Sequence, residues 1–449
     1  MRIVALLLAG LLPSGLLSQK PAGIPEDVRA NVRARVEAGS WPSVAIGIVD
    51  RHGLRYFTYG GPAGQSVDEH TVYEIGSITK VFTSLALADM AIRGELSLDA
   101  PIQQYLPAQV KAPEHGGKPI TLRLLAGQRS GLPRMPTNFA PADPNNPYAD
   151  YDTTRLYRFL SEHTLARDPG ERYEYSNLGI GLLGVILARH DQTSYEAMLR
   201  RRILDPLGMK STMIQLTPDA RKRLAPGHAG GKPVANWDLD ALAGAGALRS
   251  DAKDMLRFVA AALGLKSTRL DSAFRFTEAR QFEAGSPTMS IGMGWHILQR
   301  PATRIIWHNG GTGGYRSFAG FSPERRIGVV VLANSSLSVD DLGYHLLDSS
   351  MAMVAPRIAL ALPGDSLQAY VGRFQLAPSF ILTITREGNA LYLQATGQPR
   401  FALFASRRDE FFLRDVEAEI SFERNAQHQV EALVLHQNGA NRRGERIRD

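Results

Sequence analysis

The sequence predicts an α+β protein: one sheet flanked by helices in three layers, an inserted helical subdomain, and a small C-terminal antiparallel β-barrel domain. Three observations lead there. Strand-like runs at 44–59 and again near 305–334 bracket a mostly helical middle. One sheet is then built from both ends of the segment, with the helices as an insertion and not as a regular βαβ repeat. Beyond residue 364 the texture changes to short alternating runs at even spacing, the pattern of a small antiparallel barrel or sandwich. A chain of 449 residues has room for both units.

Taken in order, residues 1–22 read as a signal peptide. Arg2 supplies the positive start, Ile3 to Leu12 is an apolar and small-residue run, and cleavage is expected after Ser18 or within Pro21-Ala22-Gly23. The apolar stretch is shorter than the roughly 20 residues a membrane span needs, and no later segment is apolar enough to cross a bilayer. The mature chain is expected to be exported, periplasmic or secreted, with no stable membrane span. Residues 23–355 then form the first domain. A helix is expected from Pro25 to Ala38, followed by a hairpin of Val44–Val49 and Leu54–Tyr59 around Asp50-Arg51-His52-Gly53. From Ser77 the period becomes helical through Val81, Leu85 and Met90, and Gly94 stops it. Residues 136–151, rich in Pro, Asn and Asp, read as an irregular surface loop. Strands return with Arg304–Trp307, Tyr315–Phe321 and Ile327–Asn334, and a last helix is expected over Asp340–Ala355. A linker over 356–366 leads to the small β domain at 367–449, in which seven runs read as strands, the last at Val430–His436.

Composition narrows the chemistry. There is no cysteine, which excludes disulfides, Cys-ligated zinc, iron–sulfur clusters and a thiol nucleophile. Nucleophilic chemistry must come from another side chain. The formal net charge of +7 is dispersed, and aromatic residues are not interleaved with basic patches, so a nucleic-acid partner is not expected. No His pair has metalloprotease spacing, no phosphate loop ends in Gly-Lys-Ser/Thr, and the Gly-x-Ser-x-Gly elbow of lipases is absent.

Three short motifs carry chemistry. Ser77-Ile78-Thr79-Lys80 puts a hydroxyl and an ammonium on one helical face, at a helix start where free N–H groups point outward. Tyr175-Ser176-Asn177 offers a phenol to move a proton and an amide to hold a carbonyl. His308-Asn309-Gly310-Gly311 follows an apolar strand, and its glycines let substrate approach the backbone. Each is weak alone. Ser250-Asp251-Ala252-Lys253 repeats the first spacing and reads as a surface loop or helix start, while His115-Gly116-Gly117 and His228-Ala229-Gly230 repeat part of the third and read as loops.

Together, in this order and setting, the motifs resemble those of the penicillin-recognising serine hydrolases: class C β-lactamases, DD-peptidases and their esterase and D-aminopeptidase relatives. Ser130-Gly131-Leu132-Pro133, Asp205-Pro206-Leu207-Gly208-Met209 and Gly246-Ala247-Leu248-Arg249-Ser250 extend the likeness over 40–355, and the tail is similar to the small barrel some of these hydrolases carry. The resemblance implies a β-lactamase/transpeptidase-like fold and an acyl-enzyme mechanism without metal or organic cofactor. It implies Ser77 as nucleophile and Lys80 and Tyr175 sharing the proton work. Asn177, His308, Gly310 and Gly311 would bind substrate, with the N–H groups of Ser77 and Gly311 as the oxyanion hole. The expected partner is a small-molecule or peptide substrate: a D-amino-acid peptide, an ester or a β-lactam. A non-hydrolytic penicillin- or peptidoglycan-binding sensor on the same fold is the alternative. Two departures bear on substrate. His308 stands where class C β-lactamases usually carry Lys, which is similar to DD-peptidases and esterases and weakens the case for β-lactam hydrolysis. Gln128 stands where the family often has His, at a position read as structural.

Overall fold

The computed structural model describes residues 23–61, 66–414, 416, 418–437 and 439–447; the signal peptide expected over 1–22 lies outside them. The first unit is built on an eight-stranded antiparallel sheet. Its strands are β1 (Ser43–Asp50), β2 (Gly53–Gly60), β3 (Phe282–Ser286), β4 (Met289–Ile291), β5 (His296–Gln299), β6 (Arg304–Gly311), β7 (Arg316–Ser322) and β8 (Ile327–Ala333). They lie in the order β2-β1-β8-β7-β6-β5-β4-β3. The N-terminal hairpin therefore pairs with the last strand, with Ile46 opposite Val331.

Layers follow from which faces are apolar. The helices α1 (Glu26–Glu37) and α5 (Asp340–Leu347) cover one face through Val28, Val32, Val36, Leu342 and Leu347. The other face receives α4 (Ala252–Ala262), which seats Leu256 over Gly47 and Val259 over Gly328. A Cβ at Gly47 would lie 2.5 Å from the Leu256 side chain and one at Gly328 2.3 Å from that of Val259, so the two missing side chains set the depth of that packing. β1, β7 and β8 are buried on both faces, as a sheet between helical layers requires.

Two helices carry the site, α2 (Thr79–Ile92) and α3 (Asn177–His190). Every residue of α2 from Thr79 to Met90 is buried, which makes it a helix inside the domain with no solvent face. Among the described residues no helix is long and apolar enough to cross a membrane.

The strands and helices correct the sequence reading in five places. Strands return at Phe282, not near 305, because β3–β5 are short and partly exposed at the sheet edge. The last helix stops at Leu347, where Asp348 turns extended and its carboxylate binds Arg300 and Arg325. Ser77 lies in a 3₁₀ turn (Gly76–Ile78) that feeds α2, two residues before the first residue of the α-helix. The Ser250–Lys253 segment starts a helix as expected, with Asp251 capping α4, but Ser250 and Asp251 are buried and not at the surface. The tail is a closed barrel of eight strands. The strand not foreseen, Ala440–Ile447, closes it by pairing with Gly372–Ala377.

Candidate active site

The turn that carries Ser77 is pressed against the end of β6. Gly76 has φ +50°, and a Cβ there would lie 2.7 Å from the Gly311 nitrogen and 2.9 Å from its oxygen. Only glycine fits that approach. Gly310 is also a packing residue: a Cβ would stand 2.0 Å from the Ile75 carbonyl oxygen. That carbonyl accepts from the Ser317 hydroxyl at 2.8 Å, which locks the turn to β7. Gly311, in contrast, lines the cavity beside Ser77.

Lys80 is fully buried, and its Nζ donates to Ser77 Oγ at 2.9 Å and to the Ala245 carbonyl at 2.6 Å. Among the described residues no carboxylate pairs with it. Burial, and secondarily the Arg134 cation, push its pKa well below the ordinary lysine value. An amine that is neutral at working pH accepts a proton; an ammonium does not.

Tyr175 precedes α3, and Gln128 grips the chain on both sides of it. The Gln128 carbonyl accepts from Glu174 N at 2.8 Å and its side-chain oxygen from Ser176 N at 2.7 Å. Gln128 itself adopts φ +58°. Ser176 caps α3 by accepting from Gly179 N. So held, the Tyr175 ring has Lys80 Nζ 4.9 Å and the Arg134 guanidinium 5.0 Å from its centroid. Burial raises the phenol pKa, so it stays protonated. Asn177, the first residue of α3, shares the Ser77 cavity with Gly311 and Thr312.

His308 is buried, with Nδ1 donating to the Asn309 carbonyl at 2.5 Å. That bond fixes the tautomer and leaves Nε2 as an acceptor. Burial, then His296, then Lys80 depress its pKa well below the ordinary value, so the ring is neutral. The structure thus gathers Ser77, Lys80, Tyr175, Asn177, His308 and Gly311 at one place, with Gly310 behind them as packing. His115 and His228 sit in two-residue hairpins elsewhere.

Sequence reasoning missed His296, Tyr148 and Trp237. The His296 ring lies 4.8 Å from His308 and 4.9 Å from Trp307, nearly parallel to the latter. Its Nε2 is 3.3 Å from the Tyr173 hydroxyl, and its Nδ1 is buried without a partner among the described residues. Burial first, and Lys80 second, bring its pKa down to about 4. A consequence is acid sensitivity. Below about pH 6.5 the unfolded chain protonates this ring while the folded chain refuses the proton until about pH 4. Stability therefore falls as pH drops across that window, and His296→Phe should flatten the fall in denaturant melts at pH 7 and pH 4.5. An unchanged slope would assign the acid loss to other groups.

Residues 28–347 match the family model described as "Beta-lactamase", and residues 356–446 match a domain of unknown function, DUF3471. A β-lactamase of Escherichia coli K12 is 28% identical over 357 residues, covering 70% of this chain and 90% of that protein. The D-alanyl-D-alanine-carboxypeptidase/endopeptidase AmpH of the same strain is 29% identical, covering 65% and 79%. Penicillin-binding protein 4* of Bacillus subtilis is 26% identical, covering 83% and 86%. A class C β-lactamase structure from Rhodobacter sphaeroides superposes with a TM-score of 0.63 at 26% identity, over 73% of this chain and all of that one. The β-lactamase/D-alanine carboxypeptidase of Yersinia pestis gives 0.63 at 24%, over 73% and 96%.

Proposed function

The chain belongs to the β-lactamase family, and from that premise we propose that it is an exported serine hydrolase that cleaves an ester or amide bond through an acyl-enzyme on Ser77. The observation that carries this is the pair Ser77 Oγ–Lys80 Nζ at 2.9 Å, with the amine buried away from any carboxylate among the described residues. Ser77 Oγ attacks the carbonyl carbon and its proton passes to the Lys80–Tyr175 pair. The N–H groups of Ser77 and Gly311 take the oxyanion, and Asn177 orients the acyl group. Collapse breaks the ester or amide bond, and the pair returns the proton to the departing oxygen or nitrogen. Water then repeats the sequence on the acyl-enzyme and frees Ser77.

Substrate choice follows from His308. A neutral imidazole offers a lone pair and no charge to a carboxylate, where an ammonium would offer both attraction and a donor. Esters and D-amino-acid amides, which carry no carboxylate beside the scissile bond, therefore fit this site better than β-lactams. Export rests on the basic and apolar residues of 1–22.

The test is one panel: a D-alanyl-D-alanine peptide, a D-amino-acid amide, a p-nitrophenyl ester and a chromogenic β-lactam, with intact-mass detection of the adduct. Turnover of the ester or a D-amino-acid substrate, with a transient acyl mass on Ser77, is the expected result. A stable penicillin adduct with no turnover of any substrate would instead make the protein a sensor.

A further inference from the structure

Resting on that reading, we infer that Arg134 selects acyl donors whose acyl group carries a carboxylate: half-esters or half-amides of dicarboxylic acids, acidic aminoacyl amides among them. Arg134 is exposed at the rim of the site, with its guanidinium 5.0 Å from the centroid of the Tyr175 ring. Among the described residues that guanidinium makes no hydrogen bond and no ion pair. A planar fork of donors that no protein acceptor engages is free to take a carboxylate on two parallel bonds. The other charges of the site do not compete for this role. Lys80 and His308 are driven toward their neutral forms by burial. Arg316, beside Gly311, donates to the Thr312 and Tyr315 carbonyls at 3.1 and 3.0 Å. Glu174, next to Tyr175 in the chain, is paired with Arg167.

The fold puts Arg134 on the acyl side. Its carbonyl accepts from Asn177 N at 3.0 Å and from Leu178 N at 3.3 Å, at the first turn of α3. The next residue, Met135, accepts from Asn177 Nδ2 through its sulfur at 3.7 Å. Asn177 is the side chain that would orient the acyl group, so these bonds fix Arg134 beside that group. The field of the guanidinium reaches the phenols of Tyr148, Tyr173 and Tyr175. Burial keeps all three protonated, so they add donors and no negative charge. Tyr148 and Trp237 line the cavity beside Ser77, their ring centroids 5.1 Å apart, so the field extends to where the acyl group lies. The span is short. Lys80 Nζ lies 4.9 Å from the same Tyr175 centroid and 2.9 Å from Ser77 Oγ. A chain of several carbons, such as adipyl, joins an acyl carbon at Ser77 to a carboxylate at the guanidinium. A neutral donor leaves Arg134 in water, whereas an acidic one gains a charge-assisted pair.

The test uses the full chain and two p-nitrophenyl esters of matched shape, the monoester of adipic acid and the ester of its half-amide, adipamic acid. The rate with Ser77→Ala is subtracted as background. Wild type should favour the acid by about tenfold or more in kcat/KM, the worth of one charge-assisted bond. Arg134→Gln, which keeps the backbone carbonyl on α3, should bring that ratio to within about twofold. Any change in Lys80 basicity on losing the cation acts on both esters alike and cancels in the ratio. Should the variant fail to fold by circular dichroism, raising salt from about 0.05 M to about 0.5 M should cut the wild-type ratio about threefold or more. Equal turnover of the two esters by wild type overturns the Arg134 subsite and spares the hydrolase reading. So does a preference that persists in folded Arg134→Gln or, where that variant does not fold, at high salt. No turnover of either ester by an enzyme active on the substrate panel above likewise overturns the subsite alone. Inactivity on both sets overturns the two readings together.

Discussion

Ser77→Ala should lose roughly 10⁴-fold or more in kcat/KM on whichever substrate the wild type turns over best, because removing one member of a catalytic unit costs about as much as removing all of it. The acyl mass should vanish with it. The fold should survive. Ser77 is only half-buried, and Lys80 keeps its bond to the Ala245 carbonyl when the hydroxyl is gone. The change in stability should stay within about 1 kcal/mol, the range for losing one ordinary hydrogen bond. Steady-state kinetics, intact mass and a thermal melt on one preparation decide the matter. A folded variant with full activity would remove Ser77 from the mechanism.

Lys80→Met has the second largest expected effect. The substitution keeps a flexible apolar stem in a fully buried channel and removes the amine. A loss of about 10² to 10⁴ in kcat/KM is expected, the usual worth of a positioned base. Wild-type kcat/KM should rise with pH as the ammonium gives up its proton, along a limb well below the ordinary lysine value because burial and Arg134 depress it. The stability effect has a definite sign. The unfolded lysine holds its proton to about pH 10.4, whereas the folded one releases it earlier. Between those points the unfolded state binds more protons, so stability climbs with pH. Lys80→Met should abolish that climb together with the acidic limb of the rate profile. A variant that retains both assigns them to another group.

What the sequence made legible, and what it did not, divides along physical lines. Ser77 and Lys80 are three residues apart at a helix start, so local geometry alone brings them together. Tyr175 and His308 are flagged by short motifs in a fixed order, Tyr175-Ser176-Asn177 and then His308-Asn309-Gly310-Gly311 after the apolar strand at Trp307. Tyr148 and Trp237 carry no such local signature. Trp237 sits in an irregular segment, and its place is set by a buried carboxylate more than 160 residues away, Glu74. His296 begins a four-residue strand whose alternation is too short to read. The barrel's closing strand reads Ala-Asn-Arg-Arg-Gly-Glu-Arg-Ile, with one buried position, Gly444, so it has almost no apolar pattern and is defined by its neighbours alone. Asp340–Ala355 ran long because nothing in the sequence announces that Asp348 will be taken by two arginines from other elements.

The pairing of Val44–Val49 with Gly328–Ala333 also governs how the chain is made. The first hairpin leaves the ribosome with one apolar edge that has no partner until some 280 residues later. At ordinary synthesis rates that interval lasts on the order of tens of seconds. During it, the segment is an open template for strand addition by any passing chain. The sheet therefore cannot close until β8 has been made, and overproduction should fill inclusion bodies sooner than soluble stock, as the soluble fraction at two expression levels would show.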